Sequence, residues 1–429
     1  MEKGLKGFVL VAALSTALVA CSNDDSNNMD DQNMDGMDGM DHESMDEEGK
    51  KRSGISDEKL AEFATAPEKL NENAQENLLT TNTKNTTRLN TQNPVQASIL
   101  ASQTIWPATH EENQPGTVIL VPKDNWQVGL AAADLIHHPN NGPVLLTDKN
   151  ELAAETLNEI KRLNPIGNEE GTQVMVMGDI SDSVTNQLAD YKVEAIEGTE
   201  PAQFAADVDE KYAAVSGGEY PESVIIVSAD EEAKAYSILA INWIAHMPEP
   251  VLYVTKDGIP EETKKALQKR KEATLYILGP ESIVSKETER ELGDYGAVTR
   301  IAGEDPVSNS IEFAKFKDEE TSFGWGLTEP GHGVSFVSSA TPDLALTGAP
   351  FSHLGKHAPV IWLEDGQVTE PVYNFLATIK PTFQDDPTQG PYNHGFIIGS
   401  QEAISFETQG IIDEKLEIVQ ADGEGHEGH

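Results

Sequence analysis

A single cysteine, Cys21, stands in 429 residues. One thiol cannot close an intramolecular disulfide, and it leaves no thiolate set for a structural metal site. Basic residues are also scarce: 30 Lys and Arg stand against 73 Asp and Glu, for a formal charge of −43. A surface of that sign repels nucleic acid and anionic lipid headgroups, so nucleic-acid binding is set aside. Catalytic signatures are missing as well. The chain has no G-x-S-x-G, no H-E-x-x-H and no glycine-rich phosphate loop behind a strand, which removes the common enzymatic readings. The apolar run in "MEKGLKGFVLVAALSTALVAC" spans about a dozen residues, too few to cross a bilayer as a helix.

That run follows Lys3 and Lys6, so residues 1–21 read as an export signal. Its "LVAC" ending resembles the bacterial lipobox, which implies that Cys21 is lipidated and anchors the mature chain on the outer face of the cytoplasmic membrane, reaching into the wall. Residues 22–86 carry 17 acidic and 6 basic residues, or −11, and read as a disordered acidic tether. Within it, "DEKLAEFATAPEKLNENAQENLL" has the composition of an isolated helix. Met34, Met37, Met40, His42 and Met45 cluster there, with Met29 just upstream, and such thioethers with an imidazole suit copper(I). This makes a metal-handling lipoprotein the second functional reading. The ending "GEGHEGH", within a frayed tail at 422–429, could chelate weakly.

The rest of the chain repeats itself. "RLNTQNPVQAS" at 88–98, "AIEGTEPAQFA" at 195–205 and "RIAGEDPVSNS" at 300–310 each run from a strand-like segment through a polar cap into a helix. Asn93, Glu200 and Asp305 are the caps, and Pro94, Pro201 and Pro306 take the first helical position, where a missing N–H costs nothing. Short continuous apolar strands alternate with helices, and the first two strands recur at 26, 27 and 26 residues (Val118 to Val144, Val224 to Val251, Val334 to Val360). That pattern predicts parallel sheets covered on both faces. The predicted units are residues 87–198, 199–303 and 304–421. With residues 1–86 accounting for −10, they carry −33.

"GPVLLTDKNELAAETLNEIKRL" at 142–163 and "ILGPESIVSKETERELGDYGAVTRIAGED" at 277–305 resemble the type 2 cell wall-binding repeat family, which occurs in triplicate on Gram-positive surface proteins. "DNWQVGLAAADL" at 124–135 and "TPDLALTGAP" at 341–350 resemble that family's helix after the first strand. The resemblance covers roughly 87–421 and implies an α/β fold of three tandem Rossmann-like units in a pseudo-threefold cluster. It also implies a non-enzymatic role with a cell-wall polymer or glycan as partner and no required cofactor. Two departures stand out. Proline occupies positions 94, 201 and 306 where the family carries Arg, and the family's helix Asp is matched only by Asp343, with Val128 there in the first repeat.

In parallel sheets ligands gather at the carboxyl ends of strands. The candidate binding residues there are Lys123, Asp124, Asn125 and Trp126 in the first repeat, Ser228 and Asp230 in the second, and Ser338, Thr341 and Asp343 in the third. Because so acidic a surface repels an anionic polymer, Ca²⁺ or Mg²⁺ bridging is the expected mode, with a neutral glycan as the alternative. A soluble-ligand receptor with a cleft between repeats is a third reading. "GWGLTEPGHG" at 324–333 reads as a mobile surface insertion, while Trp126 and Trp362 read as core. His353 and His357, four residues apart with His332 in the same repeat, read as the end of a helix, because Gly355 interrupts it and no acidic residue lies between them. His137 and His138 likewise read as a helix end. The oligomeric state is left open.

Overall fold

The computed structural model describes residues 55–421 apart from Glu272 and Lys356. The export signal, Cys21, the Met34–Met45 cluster and the GEGHEGH ending lie outside the described residues. No described helix is long and apolar enough to cross a membrane.

Three four-stranded parallel sheets carry the fold. Numbering starts at β1 (Thr86–Leu89). The first sheet contains β2 (Val118–Pro122), β3 (Val144–Thr147), β4 (Val174–Met177) and β5 (Val193–Ile196), in spatial order β3-β2-β4-β5. The second repeats this order with β6 (Ser223–Ser228), β7 (Val251–Val254), β8 (Ala273–Leu278) and β9 (Gly296–Ile301), as β7-β6-β8-β9. Val, Ile and Leu dominate the inner strands, and every residue of β2, β3, β4 and β7 is buried, as helices on both faces of a parallel sheet require.

The third sheet departs from a simple tandem array. It holds β10 (Gly333–Ser338), β11 (Val360–Leu363) and, beyond the short β12 (Thr382–Phe383), β13 (His394–Ile398). Its fourth strand is β1, from the far end of the chain, which pairs in parallel with β13 through Thr86–Gly395 to Leu89–Ile398. The two-residue β14 (Val419–Gln420) pairs with β12.

The junctions read from sequence are the hand-overs in this ring. Glycine ends the third strand of each unit with positive φ: Gly178 at 72°, Gly279 at 126° and Gly399 at 144°. That region is open to glycine and strained for other residues. The glycine N–H then donates to the last strand of its sheet, to the carbonyls of Ile196 (2.8 Å), Ile301 (2.9 Å) and Leu89 (3.2 Å). After each last strand comes the capped helix. Asn93 accepts from the Val95 and Gln96 N–H groups, Glu200 from Gln203 and Asp305 from Ser308. The helices Pro94–Ile105, Pro201–Val215 and Pro306–Lys315 pack on β3, β7 and β11, each in the following unit. Thus β1 closes the third unit and its helix opens the first.

Sequence placed residues 22–86 in the tether and began the first repeat at residue 87. In the structure, residues 55–86 carry a helix at Asp57–Ala64, a helical turn at Glu72–Gln75 and the start of β1. The helix packs on Glu370–Thr378, buries Phe63 and receives the Lys415 ammonium on the Thr65 carbonyl at 2.8 Å. It is therefore not isolated. The acidity of residues 22–54 dominates the average composition and conceals the apolar contacts of residues 55–86.

One core runs through all three units, and a smaller one lies around Trp106, Leu120, Ile160 and Leu188 in the first. Hydrogen bonds cross each joint: Tyr253 Oη to the Gln127 carbonyl (2.7 Å), Trp362 Nε1 to the Ala235 carbonyl (2.7 Å), and His353 Nε2 with Asn141 Oδ1 (2.9 Å). The "GWGLTEPGHG" insertion is tied in as well. Leu327 within it and Phe323 just before it are buried, and Trp325 meets Trp243 of the second unit edge-to-face at 5.0 Å.

Candidate functional site

The residues expected at the strand carboxyl ends do not converge. Lys123 pairs with Asp148 at 2.6 Å, beside Asp124, and that pairing raises the ammonium pKa. Asn125 caps its own helix by accepting from Val128 N–H. Trp126 is buried, donates Nε1–H to Glu231 at 2.9 Å and meets Tyr253 edge-to-face. Ser228 donates to Asp230, which also accepts the Lys256 N–H at 2.7 Å. Ser338 is buried and accepts from Ala340 N–H, while Thr341 donates to the Ser338 carbonyl. Asp343 pairs with Lys234 of the second unit at 2.5 Å. Three of these residues thus act at joints or caps: Trp126 spans units one and two, Asp343 spans two and three, and Asn125 holds a helix start.

A different set does converge. In each unit the helical segment after the first strand runs back toward the amino ends of the strands, as a crossover between parallel strands must. These segments end near His137, His246 and His353, one from each unit. One ligand-capable ring nitrogen from each lies within 4.8 Å of the other two. The His137 and His353 ring centroids are 4.5 Å apart, and His137 stacks on His246 at 5.7 Å and 9°. His357, at positive φ, packs edge-on against His246 with centroids 4.2 Å apart.

Partners fix the rings. His137 Nδ1 lies 2.8 Å from the His246 carbonyl oxygen, and His353 Nε2 lies 2.9 Å from Asn141 Oδ1. His246 Nδ1 and His353 Nδ1 are buried without a hydrogen-bond partner. Burial, with neighbouring imidazoles acting in the same direction, lowers the His246 and His353 pKa values to about 4. Burial also lowers His332 and His357. At neutral pH His246 and His353 are therefore uncharged, each with a lone pair on one ring nitrogen.

Beside it opens a cleft of about 500 Å³, lined by Trp243, His246, Lys317, Trp325, His332 and His357 among others. Trp325 Nε1 is buried there without a partner.

The sequence reading treated His137, His353 and His357 as helix ends and passed over His246. His353 and His357 do share a region, but not as an i,i+4 pair: His353 joins His137 and His246, while His357 leans on His246. The signal available in sequence was positional, since one histidine closes the same segment in all three repeats.

No family model matches the chain. It is 26% identical over 207 residues to a Bacillus subtilis (strain 168) protein called Amidase enhancer, an alignment that takes in 48% of this chain and 28% of that one. Among solved structures it is similar to Cwp6 from Clostridium difficile (TM-score 0.61, 15% identity), over 77% of this chain and 47% of that one. It is also similar to Cwp8 from Clostridium difficile (TM-score 0.58, 19% identity), over 77% of this chain and 52% of that one. The chain therefore spans about half the length of these solved chains and little more than a quarter of the curated relative. What it shares with Cwp6 and Cwp8 is the fold.

Proposed function

We propose that this chain is a non-enzymatic protein of the cell envelope that binds a wall polymer through its ring of three units and is held at the outer face of the cytoplasmic membrane by a lipid on Cys21. The observation that carries the reading is the ring itself, since the similarity to Cwp6 and Cwp8 extends over 77% of the chain. The partial relationship to an amidase enhancer points the same way.

Electrostatics sets the binding mode. With 73 acidic residues against 30 basic ones, direct approach of a phosphate-bearing polymer is unfavourable, and a Debye length of about 10 Å in 0.1 M salt leaves much of the repulsion in place. Ca²⁺ or Mg²⁺ takes oxygen ligands from carboxylate and phosphate together and relieves it. The strand carboxyl edge, with Lys123 and Asp124, is the surface assigned to the polymer.

The test is sedimentation of the purified chain with isolated walls. Retention that needs millimolar Ca²⁺ or Mg²⁺ and is reversed by EDTA supports the cation bridge. Retention that ignores EDTA supports a neutral glycan, and no retention in either condition refutes wall binding. The anchor is tested separately. Cys21→Ala moves the protein from the membrane fraction to the medium if Cys21 carries the lipid, because stable anchoring takes more than one acyl chain's worth of insertion.

A further inference from the structure

We infer that His137, His246 and His353 together hold one divalent transition-metal ion, of the zinc, nickel or copper(II) class, on the axis where the three units meet. Neither the wall-binding reading nor its cation bridge requires this site, which differs from that bridge in ligand chemistry, location and role.

The donor set selects the ion. Three neutral imidazole nitrogens suit zinc, nickel and copper, whereas Ca²⁺ and Mg²⁺ want oxygen cages. The trio comes from three separate units, and one ring nitrogen from each lies within 4.8 Å of the other two. Nitrogens on a tetrahedral zinc, bound at about 2.0–2.1 Å, lie about 3.3 Å apart, so the rings need to draw in by roughly an ångström or so.

The surroundings already assign the tautomers. A backbone carbonyl can only accept, so His137 donates Nδ1–H to the His246 carbonyl at 2.8 Å and keeps a lone pair on Nε2. Asn141 Oδ1 likewise accepts from His353 Nε2–H at 2.9 Å, which leaves the His353 Nδ1 lone pair free. Metal-binding histidines typically make this second bond, from the ring nitrogen away from the ion to an oxygen acceptor. The nitrogens left over include His246 Nδ1 and His353 Nδ1, both buried and unpartnered. Burying such a group without a partner is costly, and a metal ion removes that cost for the pair at once. His137 is exposed, so an ion has a route in, and a fourth position is left for water or the His357 ring.

Because the ligands come from three units, the ion binds the closed ring and not an opened one. It therefore acts as a pin at the amino face of the sheets and stabilises the ring by mass action.

The full chain also carries the Met34–Met45 cluster and two histidines in GEGHEGH, so the experiment has to separate sites. Cobalt(II) serves as a spectroscopic stand-in for zinc. Three imidazoles in a tetrahedral or five-coordinate site give intense visible absorption, whereas cobalt held by carboxylates and water absorbs weakly. The expected result for the full chain is one intense cobalt site, displaced by zinc, and a melting temperature that zinc raises and EDTA restores. H137Q and H246Q each lose the intense band, one molar equivalent of bound zinc and the zinc-dependent melting shift. H138Q keeps all three, because the native His138 Nε2 lies near the Val215 carbonyl instead. If H246Q fails to fold, H137Q decides alone, since that side chain is exposed and its EDTA melting temperature reports folding independently. A cobalt spectrum and zinc shift that survive H137Q overturn the proposal, as does a full chain with no intense band.

Discussion

Arg88 Nε donates to Gln409 Oε1 at 2.7 Å across 321 residues of sequence. The same guanidinium donates to the Gly399 carbonyl at 2.9 Å and the Ser405 carbonyl at 3.3 Å, so one buried side chain stitches β1 into the third unit. Burial holds its pKa down at about 10. Arg300 repeats the arrangement in the second unit, donating to the Gly279 and Val284 carbonyls and to Glu289.

Removing Arg88 takes the donor from Gln409 Oε1 and the Gly399 carbonyl, while the Ser405 carbonyl keeps the Gln409 N–H at 3.1 Å, and it loosens the closure of the ring. Arg88→Ala is expected to lower the unfolding free energy by about 2–4 kcal/mol in urea titrations of the full chain, given the usual worth of charged hydrogen bonds. A loss below about 0.5 kcal/mol would mean that β1 contributes little and that the units stand as separate beads.

Asp134 supplies the pH dependence. It is 1% exposed, and neither carboxylate oxygen has a hydrogen-bond partner. Burial raises its pKa well above the ordinary value, and Asp209 and Glu249 push in the same direction. A carboxyl with a raised folded pKa contributes stability that is fully present below its unfolded pKa of about 3.9 and is lost as pH rises through the folded value. Asp134→Asn is therefore expected to stabilise the protein at pH 8, with a gain that shrinks toward zero near pH 4. Chemical denaturation at several pH values measures it. A variant less stable than wild type at pH 8 would show that the ionised carboxylate is needed.

Much of the fold was legible because its signals are local. Asn93 and Asp305 announce helix starts by side-chain chemistry alone, and runs such as Val118–Pro122 announce buried parallel strands. Ring closure was not legible. β1 resembles β5 and β9 in pattern, and nothing within residues 86–89 says that its partner is β13. The histidine trio escaped for a related reason: His137 and His246 are 109 residues apart, and no motif with local spacing links them. Trp126 carries two readings in sequence, core and ligand contact, and the core reading holds. A tryptophan at a strand's carboxyl end suggests a ligand platform, yet its indole is spent on Glu231 and Tyr253.

That difference separates strut from ligand contact at the strand edge. Trp126→Ala should destabilise by about 3–5 kcal/mol, the usual cost of emptying a large buried aromatic site. Lys123→Ala should cost at most about 1 kcal/mol, because its pair with Asp148 is partly solvated. If a neutral glycan contacts the edge directly, Lys123→Ala weakens wall retention while the melting curve stays put. Unchanged retention would exclude direct contact through Lys123.

The helix Asp57–Ala64 sets the boundary of the folded part. Phe63 is buried, and Asp413 accepts from Thr83 Oγ1 at 2.5 Å and Asn85 N–H at 2.8 Å, so the segment leading into β1 is held at several points. Limited proteolysis is expected to leave a core whose amino end lies ahead of Asp57, read by mass spectrometry. A resistant core beginning near Thr87 would show that this segment detaches readily.

Wall association through a phosphate-bearing polymer is the central claim, and comparison of intact walls with walls stripped of their phosphate-linked polymers tests it most directly. The quantity is the fraction of purified full chain that sediments in millimolar Ca²⁺. The account predicts saturable retention on intact walls and its loss on stripped walls. Equal retention on both, or none on either, would contradict it.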